Sequence, residues 1–337
     1  MAENKELTNR ERDLVNRGYD IDVIRHLCNY TEEEVKDAVD AILARITLNC
    51  NRVSNPTCTY IGGQPGVGKS STLMRTKLNY LEDGVVEIGI DNYRMYHPRY
   101  LEMEEEIKKH WANREQSEND TPGNDIADFT HSFAGEVTDL LVDRVSTLED
   151  GKAFNILFEW GMRTPDGPLK TMRELKDKGY NNIVDFVVVY KDISLEACKL
   201  RADIMNTGNH IVRRVPSSFH ELCVNTLPDS CNTIYKSGKI DNDFIDKFLI
   251  TTRDGNIVWN SDNSKTLPGE VLKDYLNNPN LSINYSNDVE FAKKAFLNES
   301  EGLESNSKLD RLKKLKEEIS DIVMINPDII RKSSMKK

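Results

Sequence analysis

Gly63-Gln64-Pro65-Gly66-Val67-Gly68-Lys69-Ser70 matches the phosphate-loop pattern G-x-x-x-x-G-K-[ST] at each fixed position. An apolar strand is predicted just before it, at 58–61, and a helix just after it, at 70–80. The glycines let successive backbone N–H groups turn inward around a phosphate, and the helix N-terminus adds partial positive charge. The loop, with Ser71, is therefore predicted to bind ATP, with Lys69 on the β- and γ-phosphates and Ser70 ligating Mg²⁺.

Composition narrows the class of protein. The chain has 337 residues, 38% hydrophobic and 30% charged, with a net charge of −11 and a pI of about 5.2. No basic footprint for nucleic acid stands out, and we expect no nucleic-acid partner. No apolar run is long enough for a bilayer, no signal-peptide core begins the chain, and the six cysteines show no C-x-x-C spacing. We therefore expect a cytoplasmic protein with free thiols and no membrane association.

Strand and helix signals alternate after the phosphate loop, which predicts an α/β fold, a P-loop kinase-like parallel sheet flanked by helices. Strands are expected at 85–90, 154–158 and 183–190, and a hairpin around 253–256. Helices are expected at 136–148, 169–178 and 194–205, the last capped by Ser194. Ligands of such sheets bind beyond the carboxyl ends of the strands. The strand ends before the loop, before Asp91 and before Glu159 are therefore expected at one edge.

Both ends of the chain are predicted to be helical. Residues 1–50 are expected to form a helical N-terminal segment, in which Thr31 and Glu34 have the spacing of a capping box. This segment either packs on the main domain or offers a docking surface to another protein. The kinase domain is expected at 51–278, and a helical C-terminal extension at 279–337, with helices at 291–297 and 309–324.

Two carboxylates follow predicted strands, where substrates are expected. Asp91 could act as general base toward a substrate hydroxyl, or it could cap a turn. Glu159 could hold Mg²⁺ through water, hydrogen-bond a substrate, or serve only the fold. Arg201 and the pair Arg213-Arg214 would suit a lid that clamps a triphosphate, although an arginine pair is also common on a solvated face.

Three segments together resemble the zeta-toxin family. Members of this family are the toxins of bacterial toxin–antitoxin systems, and they are P-loop kinases. Residues 62–70 are similar to the family's G-G-Q-P-G-x-G-K-[ST] loop. Residues 91–98 resemble its D-x-[FY]-R-x-x-H-P segment. Glu159 with Arg163-Thr164 resembles the family's E-G-T-x-R-T region. In the family a helix and then the sequence K-G-Y follow this region, and here a predicted helix is followed by Gly179-Tyr180.

Two further segments, 225–228 and 235–238, match the family's N-L-P and H-x-[ST]-G surroundings in part, and the resemblance covers roughly residues 30 to 275. The resemblance implies transfer of the ATP γ-phosphate to the 3′-hydroxyl of the amino sugar in UDP-N-acetylglucosamine. It also implies an antitoxin partner that covers the nucleotide site.

The same resemblance implies roles for individual residues. Lys69 would stabilise the phosphates, Asp91 would be the base, and Arg201 and Arg214 would clamp the transferring phosphoryl group. The sugar nucleotide would be contacted by residues from several segments, namely Asp91, Arg94, Thr130, Glu159 and Arg163.

The chain departs from the family pattern where substrate is expected. The family's E-G-T is Glu159-Trp160-Gly161 here, so an indole replaces glycine and the threonine is missing. A kinase acting on another nucleotide-like acceptor, such as NAD or a nucleic-acid end, is therefore an alternative. A third hypothesis is a nucleotide-dependent interaction protein that uses its helical ends to bind a partner.

Overall fold

A computed structural model describes residues 6–117, 121–205 and 214–282. The strands are β1 Arg52–Val53, β2 Thr57–Gly62, β3 Val86–Ile88, β4 Ala153–Phe154, β5 Ile156–Glu159, β6 Asn181–Val188, β7 Lys247–Thr252 and β8 Ile257–Asn260. The helices are α1 Asn9–Asn16, α2 Ile21–Leu27, α3 Glu32–Ile46, α4 Lys69–Lys77, α5 Tyr100–Trp111, α6 Pro122–Phe129, α7 His131–Ser146, α8 Asp166–Asp177, α9 Lys191–Met205, α10 Ser217–Tyr235 and α11 Pro268–Asn277.

The chain divides into two compact units. The helical unit comprises the described residues of 6–48, 88–145 and Arg214, and the sheet unit comprises those of 49–87, 146–205 and 215–282. The predicted boundaries at residues 50 and 278 remain a prediction. The predicted C-terminal helices at 291–297 and 309–324 lie outside the described residues.

A six-stranded sheet with the order β3-β5-β2-β6-β7-β8 organises the sheet unit. β2 pairs in parallel with β5 and β6, β6 pairs in parallel with β7, and β7 and β8 form the predicted antiparallel hairpin. Because parallel strands need crossover connections, the helices between them cover the sheet. The mostly parallel sheet flanked by helices confirms the predicted fold class.

Apolar side chains from β2, β5, β6, α4 and α9 form one core of this unit. Ile61, Leu157 and Val187 from the three central strands meet Leu73 of α4 and Ala197 of α9, all nearly inaccessible to solvent. Fully burying a Val, Leu or Ile side chain contributes about 1.5–3 kcal/mol. This core holds the segment that follows β2 against the first turns of α4 and α9.

The helical unit has a separate core. Leu14, Ile24, Met103 and Phe129, from four different helices, are buried together. The predicted capping box is confirmed at the start of α3, where the Thr31 hydroxyl accepts from the Glu34 N–H and the Glu34 carboxylate accepts from the Thr31 N–H.

Several predicted boundaries were wrong. α9 begins at Lys191, so Ser194 lies inside the helix and not at its cap. The strand predicted at 85–90 ends at Ile88, because the chain turns into a 3-10 helix, Ile90–Asn92. Asp91 therefore lies in a helical turn after the strand.

The strand predicted at 154–158 is interrupted. Phe154 pairs with Arg52 in a separate two-stranded sheet, β1-β4, while Ile156 pairs with Cys58. The buried side chain of Asn155, between the two, accepts a hydrogen bond from the Thr57 N–H at 3.0 Å.

Candidate active site

The phosphate loop has the backbone geometry that its glycines predict. Gly63, Gly66 and Gly68 have φ values of 144°, 77° and 115°. A Cβ atom on Gly66 would lie 2.0 Å from the carbonyl oxygen of Ser194, and one on Gly63 would lie 2.6 Å from that of Val187. A side chain at either position would collide with backbone, so this path of the loop requires glycine.

Gln64 fixes the loop to the sheet. Its side chain is fully buried, and its amide nitrogen donates to the carbonyl oxygen of Val189 at 2.8 Å, just beyond the end of β6. Val67 is buried in the core described above, and Pro65 is half-buried. The loop is thus held by a hydrogen bond on one side and by apolar packing on the other.

Lys69 and Ser70 open α4 at the end of the loop. The Lys69 Nζ atom donates to the carbonyl oxygens of Gly63 and Gln64, both at 3.2 Å, so the ammonium group lies over the loop. Ser70 and Ser71 occupy the half-buried first turn of α4, which carries no acidic residue. A glycine cradle, an ammonium group and a hydroxyl at a helix N-terminus fit ATP phosphates, with Ser70 suited to ligate Mg²⁺.

Glu159 lies beside the start of this loop. It ends β5 opposite Ile61 in the parallel ladder, and the Trp160 N–H donates to the Ile61 carbonyl oxygen at 3.0 Å. Glu159 is half-buried. Its carboxylate is therefore carried on the strand next to the one that leads into the phosphate loop, as predicted from the strand ends.

The indole of Trp160 packs against an aromatic side chain of the sheet. It stacks on Phe158 with ring centroids 4.8 Å apart, and Phe158 stacks in turn on Tyr60 of β2. A Cβ atom on Gly167, in the first turn of α8, would lie 3.0 Å from this indole. The bulky replacement for the family's glycine thus continues an aromatic row of the sheet.

Arg163 follows a constrained backbone turn. Met162 is buried with a left-handed φ of 49°, and the Ser230 hydroxyl of α10 donates to its carbonyl oxygen at 2.6 Å. The Arg163 guanidinium lies 6.0 Å from the ring centroid of Phe219, also on α10. α10 therefore helps to fix the segment that carries the predicted substrate residues of the sheet unit.

Arg201 lies on the face of α9 that packs on the phosphate loop. Ser194, Cys198 and Arg201 recur at helical spacing, and a Cβ atom on Gly66 would lie 2.7 Å from the Cys198 Sγ atom. Burial raises the pKa of the Cys198 thiol, while the positive charges of Arg201 and Lys69 act in the opposite direction. Both cations thus act on a thiol that touches the loop.

Asp91, Arg94 and Thr130 are brought together within the helical unit. The Arg94 Nε atom donates to Asp91 Oδ1 at 2.7 Å, and the Arg94 Nη1 atom donates to Thr130 Oγ1 at 3.2 Å and to the Ala127 carbonyl oxygen at 2.7 Å. Thr130 is buried, whereas the Asp91 side chain is 65% exposed. The guanidinium thus orients an accessible carboxylate.

The arginine pair is only partly described. Arg214 is half-buried and belongs to the helical unit, while Arg213 lies outside the described residues.

Sequence reasoning missed His220 of α10, which is buried against Ser194, 26 residues away. A long-range contact of this kind leaves no local pattern.

The described residues contain neither a metal-binding cluster nor a membrane-spanning helix. No group of three or more His, Cys, Asp or Glu side chains is arranged to hold a metal ion in 6–117, 121–205 or 214–282. Within those same ranges, no helix combines the length and apolar character needed to cross a membrane.

A mostly parallel sheet, with a glycine loop leading from β2 into a helix that begins Lys69-Ser70, defines the P-loop kinase fold. The sequence model of the zeta toxin family matches residues 39–264, and the chain belongs to this family.

Named relatives agree with this assignment. The chain is 28% identical over 249 residues to Toxin PezT of Streptococcus pneumoniae serotype 4, covering 74% of this chain and 88% of that protein. It is 26% identical to Toxin zeta of Streptococcus agalactiae, covering 75% and 80%. A solved structure from the PezAT chromosomal toxin–antitoxin system of Streptococcus pneumoniae superposes with a TM-score of 0.59 at 22% identity, covering 89% of this chain and 99% of that one.

Proposed function

We propose that this protein is an ATP- and Mg²⁺-dependent kinase that phosphorylates the 3′-hydroxyl of the amino sugar in UDP-N-acetylglucosamine, and that it is the toxin of a toxin–antitoxin system. The observation that supports this most strongly is the phosphate loop, in which three left-handed glycines and the Lys69 ammonium group form a phosphate cradle. Membership of the zeta toxin family supports the acceptor and the biological role.

The loop and α4 would bind the nucleotide. Backbone N–H groups of residues 63–68 and the N-terminus of α4 would donate to the phosphates, and Lys69 would neutralise charge on the β- and γ-phosphates. Mg²⁺, ligated by the Ser70 hydroxyl, would screen the phosphate charge that opposes attack by the acceptor. This part of the proposal uses only residues of the sheet unit.

Asp91 would act as the general base. Its carboxylate would accept the proton of the acceptor hydroxyl as that oxygen bonds to the γ-phosphorus, while the bond from that phosphorus to the β–γ bridging oxygen breaks and ADP leaves. The 2.7 Å bond from Arg94 orients one carboxylate oxygen, and the Arg94 bonds to Thr130 and Ala127 fix the guanidinium. A base held in one orientation suits in-line transfer.

Arg201 and Arg214 would stabilise the charge that develops on the transferring phosphoryl group. Glu159 and Arg163 would contact the sugar nucleotide, together with Arg94 and Thr130. Glu159 is suited to this because it leaves β5 beside the loop that would carry the donor phosphates.

An antitoxin is the protein partner that we propose. The relatives are named as toxins, and the solved structure with the TM-score of 0.59 comes from a toxin–antitoxin system. A partner that covers the nucleotide site would suppress the kinase until it is removed.

A different acceptor is the second candidate, and Gly161 favours it. The family places a threonine at this position, whereas Gly161 is exposed here, and a Cβ atom on it would have no described neighbour within 4 Å. One hydroxyl that could bind the sugar nucleotide is therefore missing. NAD and other nucleotides remain alternative acceptors, and a nucleotide-dependent interaction protein would yield no phosphorylated product.

An acceptor panel tests these proposals. The protein is incubated with ATP and Mg²⁺ and, separately, with UDP-N-acetylglucosamine, UDP-glucose or NAD, and each product is analysed by mass spectrometry for one added phosphate. Phosphorylation of UDP-N-acetylglucosamine alone supports the first proposal, and phosphorylation of NAD alone supports the second. ATP binding without any phosphorylated acceptor in the panel contradicts the assigned acceptor.

A further inference from the structure

A buried hydrogen bond joins α9 to α10 behind the phosphate loop. Ser194 Oγ lies 2.8 Å from His220 Nε2, and both side chains are almost completely removed from solvent. The Ser194 hydroxyl donates to the Lys191 carbonyl oxygen, also at 2.8 Å. Because its single hydrogen is used there, the hydroxyl accepts from the Nε2–H of His220.

His220 is neutral in this arrangement. Burial lowers the pKa of His220 to about 4; Asp192 opposes this, and Lys199 and Lys69 lower it further. A neutral imidazole has one N–H donor, and here it donates its hydrogen bond to the Ser194 hydroxyl. The bond therefore persists without a change in charge around neutral pH.

The rotation of α9 about its axis determines what meets the loop. The Ser194 carbonyl oxygen and the Cys198 Sγ atom would lie 2.0 Å and 2.7 Å from a Cβ atom on Gly66, so this face of α9 is in tight contact with the loop. Arg201 lies one turn beyond Cys198 on the same face. A rotation of α9 about its axis would therefore move both the residues that contact Gly66 and the guanidinium of Arg201.

We propose that His220 is a positioning residue for the phosphate loop, which holds α9 through Ser194 in the rotation that supports Gly66 and directs Arg201. The proposal rests on the proposed function, because it assigns His220 a part in nucleotide binding by that same loop. His220 acts through α9 and needs no contact with the nucleotide.

A set of variants separates this role from ordinary packing. His220→Leu replaces the imidazole with an apolar side chain and removes the donor, whereas His220→Gln keeps an N–H at a similar reach. Ser194→Ala removes the acceptor, and it is also combined with His220→Leu. Tyr180→Phe is the control, since it removes another hydrogen bond made by a buried residue, from the Tyr180 hydroxyl to the Phe154 carbonyl oxygen at 2.7 Å, at the amino end of β6.

The measurements are the dissociation constant of ATP with Mg²⁺ by calorimetry and the thermal unfolding of each variant. We expect His220→Leu and Ser194→Ala each to raise the dissociation constant at least about fivefold. His220→Gln should restore it to within about twofold of the wild type. The double variant should bind ATP no more weakly than the weaker single variant, because the two changes remove the same Ser194–His220 bond. Tyr180→Phe should lower the unfolding temperature without altering ATP affinity.

The outcomes distinguish this proposal from the proposed function. Wild-type ATP affinity in both His220→Leu and Ser194→Ala, with only a lower unfolding temperature, would overturn the positioning role and leave the kinase proposal intact. A wild-type chain that binds no ATP would overturn the proposed function itself. If His220→Leu does not fold, Ser194→Ala alone decides, because Ser→Ala leaves little empty volume.

Discussion

Ile61 of β2 stands opposite Glu159 of β5 in the parallel ladder, and the bond from the Trp160 N–H to the Ile61 carbonyl oxygen closes the pair. β2 continues directly into the phosphate loop. The carboxylate and the loop therefore leave one edge of the sheet on adjacent strands, where ligands of parallel sheets bind.

This relationship leads to a prediction for Glu159. Glu159→Gln should raise the KM for the sugar-nucleotide acceptor by about tenfold and leave ATP affinity unchanged, since the lost charge would face the acceptor. Steady-state kinetics with each substrate varied in turn measures this. Glu149→Gln is the control, because Glu149 is an exposed partner of Arg52 outside the proposed site. Loss of ATP affinity in Glu159→Gln would instead indicate a role in nucleotide or Mg²⁺ binding.

Lys69 should be required for both binding and transfer. Lys69→Ala should weaken ATP binding by at least about tenfold and reduce transfer by roughly 10³-fold, because the ammonium group over the loop would be lost. Calorimetry and product formation measure the two effects. Lys77→Ala, at the other end of α4, removes a lysine paired with Glu87 and should alter neither. Wild-type ATP affinity in Lys69→Ala would argue against nucleotide binding by this loop.

Gly66 and Gly179 form a matched pair for testing the loop geometry. Both have a left-handed φ, 77° and 86°, but only at Gly66 would a Cβ atom meet backbone, 2.0 Å from the Ser194 carbonyl oxygen. Gly179→Ala should cost about 1–2 kcal/mol of stability and leave ATP binding unchanged. Gly66→Ala should weaken ATP binding at least about tenfold, because the loop must move. Equal ATP affinities in the two variants would show that the packing of Gly66 on α9 is irrelevant to binding.

Much of this site could be predicted from sequence because its signals are local. The phosphate loop is encoded in eight consecutive residues, and the cap of α3 in four. The start of α9 could not be predicted, since Ser194 resembles a cap until its partner His220 is known. The split of the strand at Asn155 likewise depends on Phe154 pairing with Arg52, about a hundred residues earlier in the chain. Pairing at such a distance leaves no trace in short sequence windows.

The buried carboxyl of Asp185 predicts a pH dependence of stability. Burial raises the pKa of Asp185 to about 6, although the hydrogen bond from Thr251 and the charge of Arg75 oppose the shift. In the unfolded chain the pKa of an Asp is about 3.9. The folded state therefore binds a proton more tightly, and the stability this contributes is fully present below about pH 4 and lost as the pH rises through about 6.

Asp185→Asn should remove this loss, because an amide cannot ionise. The free energy of unfolding of the variant, relative to wild type, should rise between about pH 4 and pH 6 by up to about 3 kcal/mol and then stay level. Urea unfolding across that range measures the difference. A constant difference between the two proteins from about pH 4 to pH 7 would contradict the raised pKa.

Asp91 is the residue through which the proposed chemistry would pass, and the most direct test is the product formed from ATP, Mg²⁺ and UDP-N-acetylglucosamine by wild type and by Asp91→Asn. ATP affinity should be equal in the two proteins. Asp40→Asn, which removes another exposed carboxylate with an arginine partner, should behave as wild type. Phosphate on the 3′-hydroxyl of the sugar with wild type, reduced at least about 10³-fold with Asp91→Asn, is the predicted result. Equal product from both proteins would contradict the assigned base, and no phosphorylated sugar nucleotide from wild type would contradict the assigned reaction.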